Sequence, residues 1–282
     1  MLNAAKANNL AQEIRDDIEH NRIQLPTLPE VALRVRDEVE SENSNAGAIA
    51  RMVASDPALS ARLLQVANSP LYRGRVEIDS IQQAVTRLGL KMVRSLVVSL
   101  AMKQIFQATS EALDRQFRVI WDDSLQVAAI SRVLANNLPM LENEQAMLGG
   151  LIHNIGALPI LTKLEDEFGF NIDPELLSDL IGELGPDIGA TILKHWNFAS
   201  SLANIPVACQ DLSYDPGPAP TYADVVTVAR LQNLALKGRA GSDADWSNVP
   251  AFAKIGMEPE VVIVDMEGSA DEIAEVRNML EG

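Results

Sequence analysis

Among 282 residues the chain has a single cysteine, Cys209. That excludes an internal disulfide and matches a reducing compartment. Aromatic residues are scarce at 4%, so Leu, Ile, Val, Ala and Met must fill the core, a mixture that suits packed helices. Cations are outnumbered, with 23 Lys and Arg against 39 Asp and Glu and a formal net charge of -16. Such a surface repels a phosphate backbone and an anionic bilayer alike, so neither a nucleic-acid nor a membrane partner is expected. The stretch from Met1 through Lys6 to Leu10 lacks an apolar signal core. No uninterrupted apolar run reaches the roughly 18 residues of a membrane span, and a cytoplasmic location is expected.

What the chain does have is helical periodicity. Leu10, Ile14 and Ile18 form one stripe, and Val31, Val35 and Val39 form another beyond the break at Leu25-Pro26-Thr27-Leu28-Pro29. Ser44-Asn45 opens a short helix carrying Ile49, Met52 and Val53. Asp56-Pro57 pairs an Asp cap with proline at the first helical position, and Ser80 opens a helix stopped by Gly89. The segment from Lys91 to Phe106 is apolar nearly all round and is expected to be central. Long helices are expected over Leu113–Leu138 and Glu144–Ile155, then over Ile181–Trp196 with a break at Gly185-Pro186, then over Tyr222–Leu236. Asp211–Pro220 and Gly238–Ser247 read as loops. Val261-Val262-Ile263-Val264 is strand-like but has no partner, and is assigned to a C-terminal helical segment ending in Ala270–Leu280. The fold class is all-α. The expected organisation is an N-terminal lobe (1–108), a second helical lobe (109–237) and a C-terminal extension (238–282).

One octapeptide points to chemistry: Gly149-Gly150-Leu151-Ile152-His153-Asn154-Ile155-Gly156. A His followed directly by a carboxylate on a helix offers a divalent metal one imidazole nitrogen and one carboxylate oxygen. Here the second residue is Asn154, a neutral amide. The two glycines before His153 either permit close helix approach or relieve crowding. Of the remaining candidates, His195 sits at a helix C-terminus, which accounts for it, and His20 lies at a polar helix end facing solvent. Cys209 reads as a small apolar filler rather than a nucleophile.

Two separated sets of residues resemble the HDOD family, regulatory domains related to the HD-type metal-dependent phosphohydrolases. The first runs from Leu25-Pro26-Thr27-Leu28-Pro29-Glu30 through Ile49 to Ser60, Leu63 to Pro70 and Ile81 to Gly89. The second comprises Trp121-Asp122-Asp123-Ser124, His153-Asn154-Ile155-Gly156 and Ile188-Gly189-Ala190 leading to Trp196. Together they span roughly 25–236. The resemblance implies a compact multi-helix HDOD/HD-like fold of two helical lobes with a regulatory role. It also implies a comparison with the metal-binding relatives. Asp123 stands where many of those carry His, His153 matches the paired His, and Asn154 replaces the paired Asp. Around Ala229-Arg230 no carboxylate supplies the last ligand. No catalytic residue is therefore assigned, and no cofactor or metal is expected; Asp123 and His153 are the weak candidates for any metal. His153 is expected to be a buried helix histidine hydrogen-bonded to a neighbour such as Asp123.

The expected function is a non-catalytic signal-transduction module that binds a signalling protein partner and, in a groove between the lobes, a small ligand. Arg62, Arg73, Arg75, Arg87 and Arg94 could supply cations there, or be ordinary solvated residues. Two alternatives stand beside it. A metal-dependent phosphohydrolase acting on a phosphoester or nucleotide, with a divalent metal, would need Asp187 or Asp211 to fold onto His153. A DNA reader would use the helix pair in Ile49–Asn68, with Arg62, Gln65 and Asn68 facing bases.

Overall fold

The computed structural model of the chain describes residues 4–20, 22, 25–41, 45–169, 172–238 and 245–281. Ser44, most of Gly238–Ser247 and the side chain of Ile18 lie outside the described residues. No strand occurs among the described residues.

The N-terminal helices are α1 (Ala4–Glu19), α2 (Glu30–Glu40), α3 (Ala46–Ala54), α4 (Pro57–Ala67), α5 (Ile81–Leu88) and α6 (Leu90–Met102). Their starts follow the capping chemistry. Asn45, Asp56 and Ser80 each accept a backbone N–H from the first turn of α3, α4 and α5. Gly89, at φ 81°, ends α5 and begins α6, a conformation that favours glycine. Every residue of α6 from Ser95 to Met102 is buried. Trp196, far along the chain, donates its Nε1–H to the Pro26 carbonyl at 3.0 Å, while Arg36 donates to the Trp196 carbonyl. The proline-rich break thus serves as the seat for the Trp196 ring.

The chain continues with the long α7 (Glu111–Ala135), followed by α8 (Asn143–Ile152), α9 (Ala157–Phe168) and α10 (Pro174–His195). Short helices α11 (Ser200–Ala203) and α12 (Ile205–Ala208) lead to α13 (Tyr222–Leu236), α14 (Pro250–Ile255) and α15 (Ser269–Glu281). Helix α7 packs against α8, α13 and α15, and from Leu125 to Ala135 nearly every residue is buried. Asn143–Glu167 is long and apolar enough to cross a membrane, with mean hydropathy 1.2, but 83% of its most apolar window is buried inside the fold.

Two expectations are corrected. Helix α10 runs unbroken through Gly185-Pro186. Proline forfeits one helical hydrogen bond and crowds the carbonyl four residues back, yet that residue is Gly182, with open space around it. Packing of the flanking turns against α9 and α12 holds the helix together. The second correction concerns Val261–Val264, which is not α-helical: Val262 is extended and Ile263–Asp265 form a 3-10 turn. Its backbone is satisfied by a side chain. The buried Gln232 amide donates to the Val261 carbonyl at 2.9 Å and accepts from the Ile263 N–H at 2.9 Å, standing in for a neighbouring strand. Gln232→Leu is expected to lower stability by about 1–3 kcal/mol by stranding that N–H, read as a lower urea midpoint with an unchanged slope.

The C-terminal helix ties early helices to α7. Arg62 of α4 donates to Leu280 O at 2.6 Å and Lys103 to Glu281 O at 2.6 Å, while Arg277 reaches Gln126 on α7 at 2.8 Å. One continuous cluster of buried apolar side chains draws on residues from α1 through α15.

Candidate functional site

The two helices that frame the His-Asn motif approach as closely as backbones can. A Cβ on Gly150 would lie 2.6 Å from Ala128 Cα on α7, and one on Gly149 would lie 2.7 Å from Ile205 Cδ1. Close backbone approach is therefore the role of Gly150, while Gly149 leaves room for the Ile205 side chain. That approach brings the C-terminal end of α8 onto α7 one turn beyond Asp123. Helix α8 stops at Ile152, so His153 and Asn154 lie in the turn leading to α9 rather than within a helix.

His153 is 3% exposed, and its partner differs from the expected one. Nδ1 contacts Gly150 O at 2.7 Å; because a carbonyl can only accept, Nδ1 carries the proton and Nε2 is bare in the neutral ring. Asp123 Oδ2 sits 4.0 Å from Nε2, outside hydrogen-bond range. Two acceptors face one another there, so the pair can bond only after the ring is protonated. This is the tautomer that a metal-ligating histidine adopts, with Nδ1–H anchored on a carbonyl. Asn154 is half-exposed, and its amide makes no hydrogen bond among the described residues.

The other wall of the site is α13, started by a capping box in which Thr221 and Asp224 satisfy each other's backbone. It presents three residues at i, i+3 and i+7: Arg230, Asn233 and Lys237. Asp123 Oδ1 accepts from Asn233 Nδ2 at 2.8 Å and from Lys237 Nζ at 2.6 Å. Arg230 donates to Gln210 at 2.7 Å and lies close enough to act on both His153 and Cys209. Arg230 was singled out in the sequence as marking the stretch with no carboxylate for a last ligand. Asn233 and Lys237 were not singled out, although their helical spacing from Arg230 was the available signal.

These charges set the protonation states. Burial raises the Asp123 carboxyl, but the His153 ring, the Lys237 ammonium and the Asn233 amide outweigh it and hold the group below its ordinary range. Burial pushes the His153 ring down; the pull of Asp123 and the Gly150 bond does not compensate, and Arg230 and Lys237 push the same way. A histidine depressed in the folded state favours folding above its unfolded pKa, and this contribution is lost as pH falls. Stability is thus expected to decline as pH drops from the ordinary value of 6.5 through the folded value. His153→Gln is expected to flatten that decline, as read by denaturant titrations across the window. Equal slopes in both proteins would refute it.

The remaining candidates are dispersed. Asp187 is exposed on α10, and Asp211 is exposed with its carboxylate accepting from Ser213 N at 2.9 Å and Oγ at 2.6 Å. Among the described residues no group of three or more His, Cys, Asp and Glu could hold a metal. Cys209 is fully buried and its thiol is pushed up to about 11 by that burial, as a filler would be. His195 and His20 are exposed. Of the five arginines named for the groove, Arg62 bonds the Leu100 and Leu280 carbonyls, Arg87 the Ala67 carbonyl and Arg94 pairs with Glu40. Arg73 and Arg75 are exposed. Asn68 exchanges two hydrogen bonds with the Ile78 backbone, which with Arg62 leaves only Gln65 of the three presumptive base readers unused.

Comparison with known proteins agrees with the fold. The HDOD domain pattern matches residues 25–211. An uncharacterized protein of Treponema pallidum is 24% identical over 274 residues, covering 91% of this chain but 50% of its own length; the chain spans about half the length of that curated relative. A solved structure from Shewanella amazonensis, named as a candidate metal-dependent phosphohydrolase, superposes with a TM-score of 0.83 at 29% identity, covering 97% of this chain and 99% of its own. An HDOD domain protein of unknown function from Geobacter sulfurreducens gives 0.69 at 21% identity, covering 99% and 98%.

Proposed function

The chain belongs to the HDOD family, and from that premise we propose that it is a non-catalytic regulatory module of signal transduction, acting in the cytoplasm by binding a protein partner. The observation that carries this reading is the Lys237 ammonium, 2.6 Å from Asp123 Oδ1. The positive charge that a divalent metal would bring to this carboxylate is supplied by the chain itself.

The donors present do not fit a metal. Asp123 and His153 offer two ligands, and Asn154 adds only a neutral oxygen that cannot bridge or neutralise two ions. A dication sharing Asp123 would stand within about 4 Å of the ammonium. At an effective dielectric constant of about 20 that repulsion is on the order of 8 kcal/mol. A complete four-ligand zinc site supplies roughly 10–16 kcal/mol, and half a ligand set cannot meet both demands. The metal-dependent phosphohydrolase suggested by the name of the Shewanella relative therefore lacks a reaction centre here, and no hydrolytic step is assigned. A DNA-reading role is likewise not assigned, because Arg62 and Asn68 are committed to the fold.

Metal analysis and turnover decide between the readings. Purified protein given manganese, magnesium or iron is expected to retain less than stoichiometric metal. It is also expected to leave phosphomonoesters and cyclic nucleotides intact at the background rate. Stoichiometric metal together with turnover abolished by His153→Ala would overturn the proposal. Affinity capture from the native cytoplasm is expected to return a specific protein partner; turnover without any partner would count against it.

A further inference from the structure

A groove of about 450 Å³ lies where the ends of α7 and α14 meet the start of α15, with the segment 257–269 along its edge. Of its apolar lining, Val133, Leu134 and Ile263 are buried, while Val261 and Met266 are each 38% exposed and Met257 is half-buried. Apolar side chains that solvent reaches are ordinary when scattered, but gathered round one groove they mark an interaction site. Methionine suits such a lip, because its flexible thioether side chain adapts to the shape it meets. The lip is also held in place beforehand, since Gln232 bonds the backbone on both sides of Val262, and a preformed surface costs little ordering on binding. Those same bonds occupy the backbone groups that an added strand would need on that side, so side-chain contact is the mode that remains.

The charges around the groove are of one sign. From Ile255 to Val276 every charged residue is Asp or Glu. The cations that border this stretch are already answered: Lys254 by Asp215 at 2.7 Å and Asp224 at 3.3 Å, Arg277 by Asp122, and Arg132 by Glu272 and Glu144. Glu258 and Glu267 line the groove, are exposed, and enter no ion pair among the described residues. Such a rim repels phosphate, so neither a nucleic acid nor an anionic bilayer suits it, and it repels a second copy of the same face. We infer that this groove docks a basic, amphipathic helix of a protein partner. Its aliphatic stripe rests on Met257, Val261 and Met266 while its Lys and Arg side chains face Glu258 and Glu267. The inference names a docking surface for the partner-binding role proposed above and rests on that reading.

The probe is a synthetic peptide of leucine and lysine patterned as an amphipathic helix, titrated into the full chain and followed by calorimetry. Saturable one-to-one binding is expected, and a peptide of equal charge with serine in place of leucine is expected to show none. Glu258→Lys with Glu267→Lys is expected to weaken binding about tenfold or more at low salt, because like charges then face each other. Asp179→Lys with Asp187→Lys makes the same change of net charge at exposed positions of α10, whose neighbours are α1, α9, α11 and α12. That pair is expected to cost less than about twofold. Met266→Ser is expected to weaken binding several-fold through lost apolar contact, with its salt dependence kept. Absence of saturable binding, equal weakening by the two charge reversals, or undiminished affinity in Met266→Ser would each overturn the inference. So would sedimentation showing a dimer of the parent that Met266→Ser dissolves, because the occupant would then be a second copy. Affinity capture with the Glu258→Lys, Glu267→Lys protein separates the two proposals. Loss of the partner caught by the parent supports the groove, whereas its retention removes the groove and leaves the regulatory reading standing.

Discussion

Gly156→Ala is expected to destabilise the protein by about 3 kcal/mol or more, the upper end of what overpacking costs. A Cβ at this position would stand 1.9 Å from Gly185 O and 2.6 Å from Gly189 N. Both are backbone atoms of α10, so no side-chain rotation can relieve the clash and the helices themselves must separate. Gly189 is constrained in turn, since its own Cβ would meet Pro206 Cβ at 2.9 Å. Gly182→Ala provides the control. It sits on the same helix in open space and is expected to stabilise the protein by about 0.5–1 kcal/mol through helix propensity. Thermal unfolding of the two variants should shift in opposite directions. A Gly156→Ala protein as stable as the parent would mean that α9 and α10 do not cross here.

Arg132→Met is expected to cost about 3–5 kcal/mol, the cost of breaking a buried ion pair from one side. The guanidinium is 7% exposed and lies 3.6 Å from Glu144, itself 10% exposed, and is paired with Glu272 of α15. Its Nε donates to Tyr72 OH at 3.3 Å, Tyr72 OH donates to Glu144 at 3.0 Å, and the charge stands 5.4 Å over the tyrosine ring. Burial, with help from Glu144, pushes the Tyr72 hydroxyl upward, so it stays protonated and remains a donor. Removing Arg132 strands Glu144 with that one hydroxyl. The double change Arg132→Met, Glu144→Gln is expected to recover most of the loss, because it deletes the uncompensated charge along with its partner. A double-mutant cycle with no coupling between the two positions would show that the network contributes nothing beyond its separate parts.

Much of the fold was legible because its signals are local. The caps at Asp56 and Ser80, the turn at Gly89 and the Tyr222–Leu236 helix follow from residues within one or two turns of each other. The same locality misled at Gly185-Pro186, where a helix breaker is overridden by packing against α9 and α12. It misled again at Val261–Val264, where the partner of an extended segment is a glutamine side chain about thirty residues earlier. At the site, the neutral amide of Asn154 beside His153 was visible in a single letter. The bond expected between His153 and Asp123 was not confirmed, because the ring turns its proton to a carbonyl three residues behind it.

By itself, then, the sequence determined an all-helical chain with most of its helix boundaries, and a histidine followed by a neutral amide rather than a carboxylate. Only the tertiary structure decided what stands beside Asp123. Asp123 and Lys237 are 114 residues apart, and no periodicity links them. They meet because Gly150 lets α8 press against α7 and because α13 packs across both. A charge pair formed across helices depends on how closely backbones can approach, and that distance is set by packing rather than by any one residue's neighbours in the chain.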